Sequence, residues 1–288
     1  MRGVAIEPRV PGHPDERVAH EQLGAQLRGF VAGDPMSRST RPSRSSSGRS
    51  SPSATNARLT RGARARSRPD VTALLTELFA DAERVDAPMG EALRALSATE
   101  RTALFTDYRR LYGDLAKDAY LPISPAGGAL LYTLARVRDA ATIVEFGTSF
   151  GLSTIYLAAA LVDRGGGRLI TSELSPAKAA RARANLERAG LAHVVEFRVG
   201  DALDTLADLP AGVELLYLDG AKSLYRSVLG LVEPRFAPRA VIAADNIDLT
   251  PLVHEFTSYV RDPANGYASN RVVIGDEPLE VCVRTAGA

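Results

Sequence analysis

Five acids and one lysine stand at the ends of short apolar runs in this 288-residue chain, and their spacing outlines two neighbouring sites. In the first, Glu145-Phe-Gly147-Thr148-Ser149-Phe-Gly151-Leu-Ser153 follows the run ATIVEF. Its glycines permit a sharp turn and close approach of backbone to a ligand, and a helix starting there offers unpaired N–H groups. The acid two residues before Gly147 sets the segment apart from the G-x-G-x-x-G fingerprint: it repels a diphosphate and suits a cationic ligand. Glu173, closing a second run, can accept both hydroxyls of a ribose, and Asp201-Ala202, closing a third, can take the exocyclic amine of adenine. Together these residues favour a nucleoside cofactor that carries a positive charge.

The second site is built from Asp219, in Leu-Asp219-Gly-Ala-Lys222-Ser-Leu-Tyr225, and Asp245-Asn246, in Ala-Ala-Asp-Asn-Ile. Two carboxylates and an amide oxygen make an oxygen-only, partly open set that suits Mg²⁺ or another hard divalent ion. Lys222, about one helical turn after Asp219, can hold or deprotonate a substrate hydroxyl. Burial beside a cation disfavours its charged form, the direction a base requires. Each feature has a plain structural alternative: a G-x-x-x-G turn joins a strand to a helix, and strand-end acids cap helices. The order in which the features arrive favours the chemical reading.

The elements that must carry these residues alternate. Helical spacing predicts helices over 71–85, 90–96, 99–116 and 129–137. From there β-rich runs at 141–146, 168–172, 193–199, 214–218 and 240–244 alternate with helices over 152–162, 176–189, 224–232 and 252–260. Strands alternating with helices predict βαβ units and a parallel sheet covered on both faces, so the strand-end acids share the crevice where such sheets bind ligands. The runs 271–274 and 279–284 are joined by four residues, too few for a crossover, and predict an antiparallel hairpin.

Charge divides the chain. Residues 35–69 hold nine arginines and no acid, residues 1–34 carry a net −1, and residues 70–288 carry −7. The Arg/Ser-rich stretch has almost no large apolar side chain and is expected to be a disordered arm, 1–69. It lacks interleaved aromatics for stacking on bases, so a nucleic-acid partner is not expected, although an arm directed at nucleic acid stays open. No apolar run reaches the ~18–20 residues of a membrane span, and no leader is evident. Cys282 is the single cysteine and four histidines are scattered, which excludes a zinc cluster and fits a reducing cytoplasm.

The motifs E-F-G-T-S-F-G-L-S, T-S-E-L-S-P, G-D-A-L, L-D-G-A-K-x-x-Y and A-D-N resemble those of the class I S-adenosylmethionine-dependent O-methyltransferases of the catechol and caffeoyl-CoA type, over about Ile123 to Arg284. The resemblance implies a doubly wound, seven-stranded, mostly parallel Rossmann-like sheet with an antiparallel C-terminal hairpin. It implies a domain over 123–288 preceded by a helical segment, 70–122. It further implies that Glu145, Gly147 and Gly151 frame the methionine end of the cofactor, with Thr148 among the cofactor-binding residues. Ser149 and Ser153 match positions that hold its carboxylate, Glu173 the ribose contact, and Asp201 and Ala202 the adenine contact. Asp219, Asp245 and Asn246 match the metal ligands, and Lys222 the general base. A small hydroxylated acceptor, aromatic by family expectation, and a homodimer are the expected partners. Gly220-Ala221 stand where catechol-type relatives carry bulkier side chains, and the chain has no tryptophan, so no aromatic gate is visible. A metal-independent methyltransferase remains an alternative; a nicotinamide dehydrogenase fits worst.

Overall fold

The computed structural model describes residues 70–285 apart from Thr250 and Asp276; the arm expected over 1–69 lies outside the described residues. Helix α1 (Val71–Ala95) is capped by the Asp70 side chain and buries Val71, Leu74, Leu75, Leu78 and Ala82 along one stripe. It runs through Pro88, where the sequence suggested a break. The carbonyl left without a helical partner is that of Arg84, four residues earlier, and Arg84 is exposed, so water can take it. The helix expected over 99–116 is divided. After α2 (Ala98–Thr106), the Asp107 side chain accepts from the N–H of Arg110 and starts a fresh turn, Tyr108–Arg110, which passes into a π-helical stretch, Leu111–Leu115. Helix α3 (Pro125–Arg138) begins four residues earlier than expected because Ser124 caps it and Pro125 occupies its first turn.

The alternation that follows is β1 (Thr142–Phe146), α4 (Leu152–Arg164), β2 (Arg168–Glu173), α5 (Pro176–Arg188), β3 (Val195–Val199) and a short α6 (Ala202–Thr205). It continues through β4 (Val213–Leu218), α7 (Tyr225–Val232), β5 (Phe236–Ala244), α8 (His254–Arg261), β6 (Tyr267–Ile274) and β7 (Glu277–Arg284). Within the described residues the strands form one seven-stranded sheet in the order β3-β2-β1-β4-β5-β7-β6. Strands β1 to β5 pair in parallel, and β7 enters antiparallel between β5 and β6. The chain winds outward in both directions from the β1–β4 pair, which makes the crevice at their carboxyl ends the ligand-binding place of such a sheet.

Successive residues of the strands serve opposite faces. Ile143, Leu215 and Tyr217 join α1, α3 and α4 in one apolar cluster, whereas Val144, Leu216 and Leu218 join α7 and α8 in another. Leu74, Leu75 and Leu78 of α1 belong to the first cluster, so α1 shares the core of the sheet, whereas Leu104 and Phe105 of α2 pack on a small cluster of Leu111, Ala116 and Ala119. Among the described residues no helix is long and apolar enough to cross a membrane.

Candidate active site

A cavity of about 260 Å³ opens at the carboxyl ends of the central strands. Gly147, Ser149, Glu173, Asp201, Ala202, Asp219, Lys222 and Asn246 all line it. Two glycines let the strand tips meet. At Gly147, with φ +103°, a Cβ would lie 2.6–2.8 Å from the backbone of Asp219 and Gly220, and a Cβ at Gly220 would lie 2.4 Å from the Phe146 ring. The β1 and β4 loops therefore touch backbone to backbone, joining the two expected sites in one chamber.

Glu173 ends β2 with both oxygens engaged: Oε2 accepts from the Ser149 N–H at 2.8 Å and Oε1 from the Ser175 N–H at 2.9 Å. Burial pushes its pKa above the ordinary glutamate value, against those two hydrogen bonds. Asp201 caps α6 through the Leu203 N–H and also accepts from the Tyr108 hydroxyl at 3.3 Å and the Arg109 guanidinium at 2.5 Å. The carboxylate expected to meet adenine is thus also the anchor of the N-terminal segment.

Glu145, Thr148, Gly151, Ser153 and Asp245 do not line the cavity but stand behind its wall. Glu145 is 0% exposed. Its carboxylate accepts from the hydroxyls of Ser153, Thr154 and Thr171 at 2.6–2.7 Å, so Glu145 and Ser153, both expected at the methionine end of the cofactor, contact each other. The reason is local: Ser153 and Thr154 lie on the first turn of α4 directly above the strand, and a buried carboxylate takes the nearest donors. Thr148 shares a hydrogen bond with Thr171, and Gly151 (φ +87°) brings α4 within 3.0–3.4 Å, measured from an added Cβ, of Ala182 and Leu186.

Burial raises the Glu145 pKa from 4.5 to about 7. A carboxyl whose folded pKa exceeds its unfolded value stabilises the fold fully below the unfolded value, and that contribution is lost as pH rises through the folded one. Glu145→Gln is therefore expected to remove up to about 3 kcal/mol of the stability that the cofactor-free protein loses between pH 5 and pH 8. Urea unfolding of both proteins at the two pH values checks this; equal losses would show that Glu145 does not titrate in that window.

Asp219 and Asp245 sit on neighbouring strand ends. Leu218 pairs with Ala244, and the Asp245 N–H donates to the Leu218 carbonyl at 2.9 Å. Asp245 is buried, its Oδ1 accepts from the Asn246 N–H at 2.8 Å, and burial followed by the charge of Asp219 pushes its pKa to about 7. Lys222 is 5% exposed and its Nζ donates to Asp219 Oδ1 at 2.8 Å, while the Tyr217 hydroxyl donates to Asp219 Oδ2 at 3.0 Å. These contacts govern the charge of Lys222. Burial alone would lower its pKa, but the Asp219 carboxylate in contact outweighs burial and holds the ammonium well above the ordinary lysine range.

The donor set also bears on a metal. Among the described residues no group of three or more His, Cys, Asp or Glu could hold one. Asp219 and Asp245 supply two adjacent carboxylates and Asn246, on the cavity wall with φ +52°, an amide. One lysine faces two acids, and the Asp245 carboxyl is raised by burial first and by the charge of Asp219 second. Such an oxygen set fits a hard divalent ion that completes its shell with water or substrate oxygens.

Sequence reasoning missed the roof. Phe105, Tyr108, Tyr112 and Leu121 line the cavity from the N-terminal segment, as does Leu249 from the β5–α8 loop. The signal was present: Phe105, Tyr108 and Tyr112 follow an i, i+3, i+7 stripe. Tyr112 sits on the π-helical turn, and burial raises its pKa. The aromatic wall that no tryptophan supplies comes from these rings.

The strand order and the reversed last strand are shared with solved O-methyltransferases, and part of the chain is similar to methyltransferase domains in sequence as well. Residues 144–247 match the family described as a methyltransferase domain. A catechol O-methyltransferase from Niastella koreensis is 38% identical over 131 residues, 44% of this chain and 58% of that protein. The chain thus matches a little over half the length of that curated relative. An O-methyltransferase from Bacillus cereus, solved in complex with SAH, shares the fold with a TM-score of 0.53 at 26% identity, over 63% of this chain and 90% of its own. TomG, an O-methyltransferase from Streptomyces achromogenes involved in tomaymycin synthesis and solved with SAM, gives 0.54 at 29% identity, over 64% and 90%.

Proposed function

We propose that this chain is an S-adenosylmethionine-dependent O-methyltransferase acting on a small hydroxylated, aromatic metabolite with the help of a divalent cation. The observation that carries the reading is the single cavity in which Glu173 and Asp201, suited to a ribose and an adenine, meet Asp219, Lys222 and Asn246. The relatives named above support the cofactor and the reaction class.

The methyl of a sulfonium is already activated, so the protein's work is to hold an acceptor oxygen in line with the C–S bond and to exclude water. Glu173 and the Gly147–Ser149 loop would hold the cofactor. Phe105, Tyr108, Tyr112 and Leu121 form an apolar roof that keeps water out and accepts a flat ring. Lys222, held as an ammonium by Asp219, would bind the acceptor oxygen and favour its anionic form. Asp219, Asp245 and Asn246 would hold the divalent ion, which when bound lowers the pKa of an acceptor hydroxyl.

Calorimetry is expected to show binding of S-adenosylmethionine and none of NAD. A methyl-transfer screen over vicinal diols and phenols, run with Mg²⁺ and with chelator, is expected to give turnover that chelator suppresses. Cofactor binding with turnover indifferent to chelator would favour the metal-independent alternative; no binding would end the methyltransferase reading.

A further inference from the structure

The segment between the π-helical turn and α3 crosses the cavity edge as a strap, and the core chemistry leaves its fastenings unused. The Asp86 carboxylate, on the last turns of α1, accepts from the N–H groups of both Tyr120 and Leu121 at 2.7 Å. Buried Lys178, on α5, donates to the Ala119 carbonyl at 2.7 Å. The Ser149 hydroxyl, from the glycine loop, donates to the Tyr120 carbonyl at 2.6 Å. The Tyr120 hydroxyl donates to Asp81 at 2.6 Å, and its ring meets Phe150 edge-on at 4.3 Å. Two non-glycine residues at this junction, Leu121 and Ser149, both have φ +47° and both line the cavity. Left-handed backbone in such residues persists only where the surroundings over-determine it.

We propose that the strap Ala119–Leu121 sets the shape of the cofactor-binding loop, with Asp86 as its positioning residue. Asp86 fixes the two amides of the strap, the strap's Tyr120 carbonyl fixes the Ser149 hydroxyl, and Ser149 in turn presents its N–H to Glu173 at 2.8 Å. An acid on α1, about 60 residues before the loop in sequence, thereby tunes the affinity for the nucleoside. This rests on the proposed reading that S-adenosylmethionine occupies the cavity.

The test compares wild type, Asp86→Asn, Ser149→Ala and the double variant by calorimetry with S-adenosylmethionine below the melting temperature of each. Asp86→Asn keeps the shape of the side chain and sets an amide donor against one N–H. It is expected to weaken binding about tenfold, with kcat at saturating cofactor within about twofold of wild type. The double variant is expected to bind no more than about twofold more weakly than the weaker single variant, because both substitutions break one linkage. In the wild type, cofactor binding is expected to slow hydrogen exchange of the Tyr120 and Leu121 amides.

Wild-type affinity in Asp86→Asn overturns the proposal even if its melting temperature falls, since a merely structural acid moves only the latter. Additive effects in the double variant overturn it as well. Should Asp86→Asn not fold, Ser149→Ala and the exchange rates decide: unchanged exchange at both amides on cofactor binding overturns the proposal. A wild type that binds no S-adenosylmethionine overturns the functional reading and the strap with it.

Discussion

Asp245→Asn is expected to lower chelator-sensitive turnover about 10³-fold, the equivalent of the several kcal/mol that a Lewis acid supplies, while leaving S-adenosylmethionine affinity in chelator within about threefold. Asp245 lies behind the cavity wall, so its substitution leaves the cofactor-lining surface in place. The fold is expected to survive: an Asn oxygen can still accept from the Asn246 N–H, as Asp245 Oδ1 does at 2.8 Å, and one of two repelling buried charges is removed. Mg²⁺ is expected to raise the melting temperature of wild type, since anything that binds only the folded state stabilises it, and to leave the variant unmoved. Chelator should bring wild type down to the variant's rate. Full chelator-sensitive turnover in the variant would remove Asp245 from the metal site, and wild-type turnover indifferent to chelator would remove the metal from this reaction scheme.

Glu173→Ala is expected to weaken S-adenosylmethionine about 100-fold. Two ribose hydroxyls donating to a carboxylate contribute about 1.5 kcal/mol each, and about 3 kcal/mol corresponds to that ratio. Turnover at saturating cofactor should stay within about threefold, because the ribose contact is made equally before and during methyl transfer. A cofactor analogue without ribose hydroxyls is expected to bind wild type weakly and to be indifferent to the substitution. The raised pKa of Glu173 adds a pH signature, since the protonated acid is a poorer acceptor. Wild-type affinity is therefore expected to fall off on acidification at a higher pH than an ordinary glutamate would give. An unchanged Kd in Glu173→Ala would move the nucleoside away from the end of β2.

The strand-end residues were legible because each announces itself locally. Gly147 follows an apolar run, Glu173 precedes a Ser-Pro helix start, and Asp219 and Asp245 close two further β-rich runs. The hairpin was legible from the short Gly275-Asp276-Glu277-Pro278 link, though its seat between β5 and the edge was not, since pairing partners are chosen by faces that fit rather than by order along the chain. The separate helices expected over 71–85 and 90–96 are one because an exposed helix can carry a proline where water takes up the freed carbonyl. The unity of 99–116 misled because the Asp107 side chain competes with the helical ladder.

Residue types and their order alone determined the sheet class and pointed to a sulfonium-nucleoside site and an oxygen-only cation site, because turn chemistry, periodicity and ligand preference are properties of a few adjacent residues. The tertiary structure decided the rest. It turned Glu145 inward onto three hydroxyls, it set Lys222 against Asp219 as a charged pair, and it laid Phe105, Tyr108 and Tyr112 over a cavity whose floor is encoded some 40 to 140 residues later. Protonation and pocket shape depend on which distant groups share a low-dielectric space, and only the folded chain brings those groups together.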